Sequence, residues 1–459
     1  MKTTGNRSLI LYVLSIAFAA GLLFFLGEYL LQGGQWAVQP FNRHISGGAS
    51  MTGQIVDRTG MVLSSSNGKE RVYNDDASIR KATLHAVGDD AGYISSAVQY
   101  RYRSELTGYN LFTGLGSPFG NRLGSDVTLT LDAELCKTAY TALNGRKGAV
   151  LLCNYKTGEI LCMVSTPSFD PANPPEDLLD NPENYEGVYL NNALSGLYTP
   201  GSTFKIITSA AAIENIPDLD SRRFQCNGSK IINGNKITCT AVHGDQSFQD
   251  ALGHSCNIAF GELAVEIGEE AMMKMAEEMG FGKSYSVDGV STAKSVYNVK
   301  GASEDALAWS GIGQYTDQVN PYHMLRIMCA IAGNGTPVEP YTTKEVKTSF
   351  GMTTSQGKTS YGEALLSVST ASKLKEAMRS NVRDYYGEGL FPGMQACAKT
   401  GTGEVGEGKQ PTGWIVGFSA DEDTPFAFVA VVEEGGYGVS SAGPVASAVM
   451  QQAVQKYGK

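Results

Sequence analysis

The stretch YTPGSTFK, residues 198–205, places Ser202 and Lys205 three residues apart where a helix is predicted to begin. Residues with this spacing share one face of a helix. The helix N-terminus adds unpaired N–H groups and a positive dipole end, which can stabilise a developing oxyanion. A lysine desolvated in a cleft can lose its proton and act as a base toward the serine hydroxyl. Ser-x-x-Lys is common by chance, and a capping serine beside a solvated lysine is the alternative interpretation.

A second candidate segment is HSCN, residues 254–257, between two predicted helices. A capping box at residues 247–250 opens a short helix, and a longer helix is predicted over about 258–279. We therefore expect Ser255 and Asn257 in an interhelical loop. The hydroxyl could relay protons to the lysine of the first stretch, and the amide could bind a substrate carbonyl. On its own, the segment is better explained as an N-cap pair for the following helix.

The third candidate segment is the predicted strand ACAKTGT, residues 396–402, which enters a Gly-rich loop. Four of its residues offer groups that bind a substrate: Lys399, Thr400, Gly401 and Thr402. The lysine offers a cation for a carboxylate, the threonines offer hydroxyl groups, and the glycine lets a substrate backbone approach closely. We also expect the backbone N–H of the second threonine to be an oxyanion donor. A polar edge strand is the alternative.

The N-terminal residues 9–31, LILYVLSIAFAAGLLFFLGEYLL, are apolar and long enough to cross a bilayer as a helix. Lys2 and Arg7 precede this run, and the next basic residue is Arg43. The positive-inside rule then predicts a single-pass protein of the cell membrane, with residues 1–8 in the cytoplasm and the rest of the chain outside. A cleaved signal peptide is the alternative, but the run exceeds a typical signal core and no clean cleavage site follows it.

Composition limits the classes of partner. The 459-residue chain has a net charge of −10 and a pI near 5.2, which argues against a nucleic-acid partner. Residues 32–124 are rich in Gly, Ser and Tyr and are predicted to form a non-catalytic interaction module, in which His85 is structural. Residues 125–459 form the predicted catalytic domain, which contains a strand over 126–131, a helix over 132–143 and a hairpin over 148–165.

The eight cysteines do not indicate a disulfide scaffold at this chain length. Cys226 and Cys239 flank a predicted hairpin turn at residues 233–235 and could pair across it. Cys153 and Cys162 could also oppose one another in a hairpin, although a shift of one residue in register would separate them. No spacing of Cys and His indicates a metal site, and we expect neither a metal nor a cofactor.

The three segments, in this order, resemble the active-serine signature of penicillin-binding proteins and class A β-lactamases. Cys256 stands where β-lactamases carry Asp, which favours the penicillin-binding proteins. The chain is similar to class B penicillin-binding proteins of the short Gram-positive type, which are monofunctional peptidoglycan transpeptidases. The similarity covers nearly the whole chain and includes GQIVDRTGMVL (53–63), GDDAGYISSAVQYRYRSELTG (88–108) and SGIGQ (310–314). One departure is Met51-Thr52, where this family often has an Arg before the Gly.

The resemblance implies an α/β fold of the α+β type, with a central antiparallel sheet flanked by helices, an extended β-rich N-terminal module and one transmembrane helix. It also implies the residue roles. Ser202 would attack a D-alanyl carbonyl of a stem peptide, Lys205 would be the base and Ser255 the proton relay. Asn257 would bind the donor amide, and Lys399 with Thr402 would bind the terminal carboxylate.

The partners implied by the resemblance are peptidoglycan stem peptides, β-lactam antibiotics and a multi-spanning glycosyltransferase of the shape, elongation, division and sporulation type. The motifs alone leave two other functions open. One is a D,D-carboxypeptidase or β-lactamase, in which water resolves the acyl-enzyme. The other is a non-catalytic β-lactam sensor or scaffold, which would not need all of the motif side chains.

Overall fold

The computed structural model describes residues 2–37, 52–67, 70–109, 124–406 and 408–458. Met51 and several parts of the predicted module, at 38–51, 68–69 and 110–123, lie outside the described residues. The first helix, α1, spans Lys2–Ala37. Its segment Ser8–Leu31 is long and apolar enough to cross a membrane and is not buried against the rest of the protein. A membrane span is therefore compatible with this helix.

Twelve more α-helices follow in the described part of the chain. They are α2 (Ala77–Val87), α3 (Val98–Arg101), α4 (Arg103–Thr107), α5 (Ala133–Leu143), α6 (Asn192–Ser195), α7 (Lys205–Asn215), α8 (Phe248–Gly253), α9 (Asn257–Glu278), α10 (Glu304–Gly311), α11 (Pro321–Ala332), α12 (Val368–Ser380) and α13 (Gly438–Tyr457).

The strands within the same described ranges are β1 (Ile55–Val56), β2 (Val62–Ser66), β3 (Arg71–Tyr73), β4 (Asp126–Leu129), β5 (Gly148–Asn154), β6 (Ile160–Thr166), β7 (Arg223–Cys226), β8 (Ser229–Ile232), β9 (Asn235–Thr238), β10 (Gly244–Ser247), β11 (Ser286–Val287), β12 (Val290–Ser291), β13 (Thr343–Lys347), β14 (Thr353–Gln356), β15 (Ala396–Gly403), β16 (Thr412–Ser419) and β17 (Phe426–Val432).

The predicted catalytic domain is organised around a five-stranded sheet in the order β15-β16-β17-β5-β6, in which every neighbouring pair is antiparallel. All residues of β16 and β17 are buried, because α5, α11 and α13 pack against the sheet. A sheet covered on both faces needs apolar residues at successive positions, which explains the unbroken apolar runs. The predicted α+β fold with a central antiparallel sheet flanked by helices is confirmed.

The N-terminal module and the catalytic domain share a second sheet, of six strands in the order β14-β13-β4-β1-β2-β3. Strand β1 pairs in parallel with β4, so the chain before and after residue 124 contributes to one hydrogen-bonded ladder. The described part of the module also contains the helices α2, α3 and α4 beside its three strands. An ion pair of 2.6 Å between Arg80 of α2 and Asp170 joins the two regions further.

The cysteine pairings considered from the sequence do not form. In the hairpin of β5 and β6, the register places Leu152 opposite Cys162, and an irregularity after Leu152 then places Cys153 opposite Ile160. The Sγ atom of Cys153 lies instead 3.3 Å from that of Cys329. All eight cysteines are free thiols. The hairpin of β8 and β9 is as predicted, but Cys226 and Cys239 lie outside its paired residues.

His85 has a structural environment, as predicted. The ring is buried in α2, and its Nε2 atom lies 2.9 Å from the carbonyl oxygen of Val188. Burial lowers the pKa of His85 to about 4, so the ring is neutral at physiological pH.

Candidate active site

The turn that contains Ser202 is fixed from two sides by backbone contacts. Residues Gly201–Phe204 form a 3-10 turn, and α7 begins only at Lys205, so the serine precedes the α-helix in which the sequence placed it. Gly201 has a φ of +51°, and a Cβ atom there would collide with the carbonyl oxygen of Thr402. Its N–H donates to the carbonyl oxygen of Gly313 at 2.9 Å. Glycine is therefore required for the turn to rest against β15.

The side chain of Lys205 connects the first two sequence motifs. Its Nζ atom lies 3.0 Å from Ser202 Oγ, 2.6 Å from the carbonyl oxygen of Ser255, 3.1 Å from Ser255 Oγ and 2.8 Å from Asn257 Oδ1. The residue is fully buried. Burial lowers the pKa of the Lys205 ammonium well below its usual range, and the charge of Lys399 lowers it further.

These contacts suit a neutral amine. The Ser255 carbonyl and Asn257 Oδ1 can only accept hydrogen bonds, so Lys205 donates to both. A neutral amine has two N–H groups and one lone pair. The lone pair then remains for the hydroxyl of Ser202, which can donate to it. The arrangement can remove the Ser202 proton while the oxygen attacks a carbonyl.

Ser255 and Asn257 reach Lys205 because of the backbone between α8 and α9. The capping box of Ser247 and Asp250 opens α8, as predicted, and the chain then turns sharply at Ser255, which has a φ of +56°. The sequence predicted Asn257 in the loop between the two helices. The residue lies instead at the first position of α9. Its Nδ2 group donates to the carbonyl oxygen of Thr238 at 2.9 Å, which orients its Oδ1 atom toward Lys205.

Lys399 is fully buried on β15 and donates to Ser255 Oγ at 3.0 Å and to the carbonyl oxygen of Thr400 at 2.8 Å. Burial lowers the pKa of Lys399 to about 7. The Ser255 hydroxyl therefore lies between two amines, since Lys205 Nζ is 3.1 Å away on its other side. This geometry is suited to passing a proton between them through one hydroxyl group.

A cleft of about 450 Å³ opens beside these residues. Its lining includes Ser202, Ser255, Asn257, Thr400, Gly401 and Thr402, six of the eight residues that the sequence predicted. Lys205 and Lys399 lie immediately behind it, in contact with Ser255. The three motifs are thus brought together as one site, and hydroxyl, amide and backbone groups face the opening.

Two residues that support β15 were not assigned a role from the sequence. Tyr386 Oη accepts hydrogen bonds from the N–H and the hydroxyl of Thr400, each at 3.3 Å. Gln314 Nε2 donates to the carbonyl oxygen of Thr402 at 3.2 Å. Gln314 ends the segment SGIGQ, so that motif was a signal for it, whereas nothing local in the sequence distinguishes Tyr386.

Comparison with known proteins agrees with this geometry. Residues 148–451 match the family model described as the penicillin-binding protein transpeptidase domain. The chain is 28% identical over 366 residues to peptidoglycan D,D-transpeptidase PbpA of Mycolicibacterium smegmatis, covering 72% of each chain. It is also 28% identical to stage V sporulation protein D of Bacillus subtilis, over 73% of this chain and 54% of that protein.

Two solved structures extend the comparison to the fold. The ceftriaxone acyl-enzyme of penicillin-binding protein A from M. tuberculosis superposes with a TM-score of 0.78 at 25% identity, over 88% of this chain and 98% of that one. The D,D-transpeptidase domain of a peptidoglycan glycosyltransferase from Eggerthella lenta gives 0.74 at 26% identity, with the same coverage. The chain therefore belongs to the penicillin-binding protein transpeptidase family, as a class B penicillin-binding protein.

Proposed function

We propose that Ser202 is the nucleophile with which this penicillin-binding protein crosslinks peptidoglycan as a D,D-transpeptidase. Ser202 Oγ forms a bond to the penultimate D-alanyl carbonyl of a stem peptide, while the amide bond to the terminal D-alanine breaks. The Ser202 proton passes to Lys205 and then, through Ser255, to the leaving amine. The observation on which the proposal rests is the set of contacts that joins Lys205 to Ser202, Ser255 and Asn257.

The groups that face the cleft are suited to hold the donor peptide. Asn257 offers its amide to the donor backbone, and the hydroxyl of Thr402 offers a hydrogen bond to the terminal carboxylate. Lys399 lies behind them, where it adds positive charge and holds the Ser255 hydroxyl. We assign the oxyanion donors to the backbone N–H groups of Ser202 and Thr402, which both line the cleft.

The second step of the proposed reaction resolves the acyl-enzyme with an amine from a neighbouring stem peptide. The amine attacks the acyl carbonyl and its proton passes to Lys205. The bond to Ser202 Oγ breaks, and Lys205 returns a proton to Ser202 Oγ. β-Lactams imitate the D-alanyl-D-alanine end and acylate the same serine.

The test is mass spectrometry of the full chain in detergent, first with penicillin and then with a D-alanyl-D-alanine peptide and an amine acceptor. We expect a long-lived penicillin adduct on Ser202, and a peptide product that contains the acceptor amine. The Ser202→Ala variant should form neither, and the exposed Ser440→Ala variant should form both. Rapid turnover of penicillin would contradict a transpeptidase and favour a hydrolase.

The remaining alternative is a scaffold without catalysis. In cells that depend on this chain, Ser202→Ala should abolish growth while the protein remains at its normal level in the membrane. Full growth with Ser202→Ala would favour the scaffold.

We further propose that α1 is an uncleaved anchor, with residues 1–8 in the cytoplasm and the catalytic domain outside. In support, the side chains from Leu9 to Leu26 are almost all exposed, as expected of a surface that contacts lipid. A glycosyltransferase of the shape, elongation, division and sporulation type would bind the anchor and the module. Co-purification should be lost when α1 is replaced by an unrelated membrane span. Protease added outside intact cells should digest the catalytic domain but spare a tag at residue 1.

A further inference from the structure

Four potential metal ligands converge beside the segment that contains Ser255 and Asn257. Cys226 ends β7, Cys239 follows β9, His243 precedes β10, and Cys256 is the N-cap residue of α9. One ligand atom from each of these four side chains lies within 4.8 Å of all the others. Cys226 and Cys256 are buried, and the other two are partly buried. Three thiols and one imidazole therefore face a common point.

Two of the six distances between the ligand atoms are those of a tetrahedral zinc site. Cys239 Sγ lies 3.5 Å from His243 Nδ1 and 3.9 Å from Cys256 Sγ. With the bond lengths typical of zinc, tetrahedral ligands are separated by about 3.5 Å between sulfur and nitrogen and about 3.8 Å between two sulfurs. The other pairs of ligand atoms lie within 4.8 Å of one another, so the side chains would need to move by about 1 Å to bind the ion.

The backbone beside Cys239 is suited to a thiolate, which is the form of cysteine that binds a metal. The backbone N–H of Asn257 donates to Cys239 Sγ at 3.2 Å. The N-terminus of α9, a helix that is kinked at Gly268, points its positive dipole end at the same place. The His243 ring is positioned by stacking on His254, with ring centroids 4.8 Å apart.

A disulfide explains the cluster less well than a metal. One bond between Cys239 and Cys256 would require their sulfurs to approach to about 2.0 Å. It would also leave Cys226 and His243 without a function, although both side chains point to the same place. Four ligands of the Cys3His type are the typical set of a closed, structural zinc site.

We propose that Cys226, Cys239, His243 and Cys256 bind one zinc ion, which fixes the catalytic segment in place. This revises the expectation that the chain has no metal site. Twelve, three and twelve residues separate successive ligands, so no common zinc motif is visible in the sequence. The ligands meet only because two short hairpin-like sheets pack against the start of α9.

The zinc would stabilise a part of the site that is built from short strands. The sheet of β7 with β10 and the sheet of β8 with β9 each have two strands of four residues, and such ribbons are marginally stable alone. The ion would join both to Cys256, whose neighbours are Ser255 with its positive φ and Asn257. Zinc here has four protein ligands, so it positions the segment and is not assigned a step in the reaction.

The first test is the metal content of the full chain, purified in detergent under reducing conditions without a chelator. We expect about one zinc per chain, as in other four-ligand sites. Cys226→Ser and His243→Ala should lose most of it, whereas His243→Cys restores a ligand and should keep it. Cys136→Ala, at a buried cysteine of α5 outside the cluster, is the matched control and should keep it.

The second test uses added ZnCl2 and CoCl2. Cobalt should give the visible spectrum of a tetrahedral thiolate site in the wild-type chain and in Ser202→Ala, but not in Cys226→Ser. Retention by Ser202→Ala makes the result independent of the proposed reaction. A wild-type chain that binds neither ion after reduction, or a Cys239–Cys256 disulfide in the protein as isolated, would overturn the proposal.

Discussion

The Nζ atom of Lys205 lies 3.0 Å from the Oγ atom of Ser202, at a position where the lysine is fully buried. The distance is that of a hydrogen bond, and burial favours the neutral amine that can accept the serine proton. Lys205 is therefore the residue whose role as the base can be tested by substitution.

Lys205→Arg should slow acylation of Ser202 by about 100-fold or more, since a general base contributes typically 10²–10⁴-fold. Arginine remains protonated and cannot accept the proton. The measurement is the rate of labelling by a fluorescent penicillin. Lys373→Arg, at an exposed lysine paired with Asp220, is the control and should label at the wild-type rate. Normal labelling of Lys205→Arg would remove the assigned role.

Ser255→Gly should remove the hydroxyl of Ser255 and keep the backbone conformation of the segment. Glycine adopts the φ of +56° without strain, so we expect an unfolding temperature close to that of the wild type and a large loss of acylation rate. Ser255→Ala removes the same hydroxyl but keeps the strained backbone, and should be the less stable variant. Equal acylation by Ser255→Gly and the wild type would show that the hydroxyl does not relay protons.

Gly201→Ala should displace the backbone of the turn that contains Ser202. A Cβ atom would meet the Thr402 carbonyl oxygen, and the positive φ alone costs about 1–3 kcal/mol for a non-glycine residue. We expect a lower midpoint of thermal unfolding and strongly reduced penicillin labelling. Gly389→Ala, at a position with open space around the glycine, should change neither measurement. An unaffected Gly201→Ala variant would contradict the close packing of the turn on β15.

Asp317→Asn should alter how stability depends on pH. Asp317 is fully buried, and within the described part of the chain neither carboxylate oxygen has a hydrogen-bond partner. Burial raises its pKa well above the ordinary value of 3.8, so the folded state favours the protonated form. The free energy of unfolding then falls by up to about 1.4 kcal/mol per pH unit as the pH rises from about 4 toward the folded-state pKa.

Asparagine does not ionise and avoids this loss. We therefore compare the free energies of unfolding of Asp317→Asn and the wild type. The value for the variant minus that for the wild type should be lowest below a pH of about 4 and should increase as the pH rises. Thermal unfolding of both chains across this range is the measurement. Parallel pH profiles would show that Asp317 titrates normally in the folded protein.

The reacting groups could be predicted from the sequence, but the residues that hold them in place could not. Ser202 and Lys205 could be paired because they are local, and the capping box fixed where α8 begins. The contact of Tyr386 with Thr400 depends on packing between distant segments, which no local pattern encodes. The same is true of the register of β5 and β6, which places Leu152 and not Cys153 opposite Cys162. The cluster around Cys256 also forms only in three dimensions, because its ligands come from separate elements.

The parallel pairing of β1 with β4 makes the catalytic fragment dependent on the chain that precedes it. A chain shortened to begin at residue 125 would leave one edge of β4 without its hydrogen-bonding neighbour, while the other edge stays paired with β13. Unprotected edges recruit strands from other molecules. Such a fragment would be prone to aggregate even with every reacting side chain present, so solubility in this protein depends on residues that take no part in its chemistry.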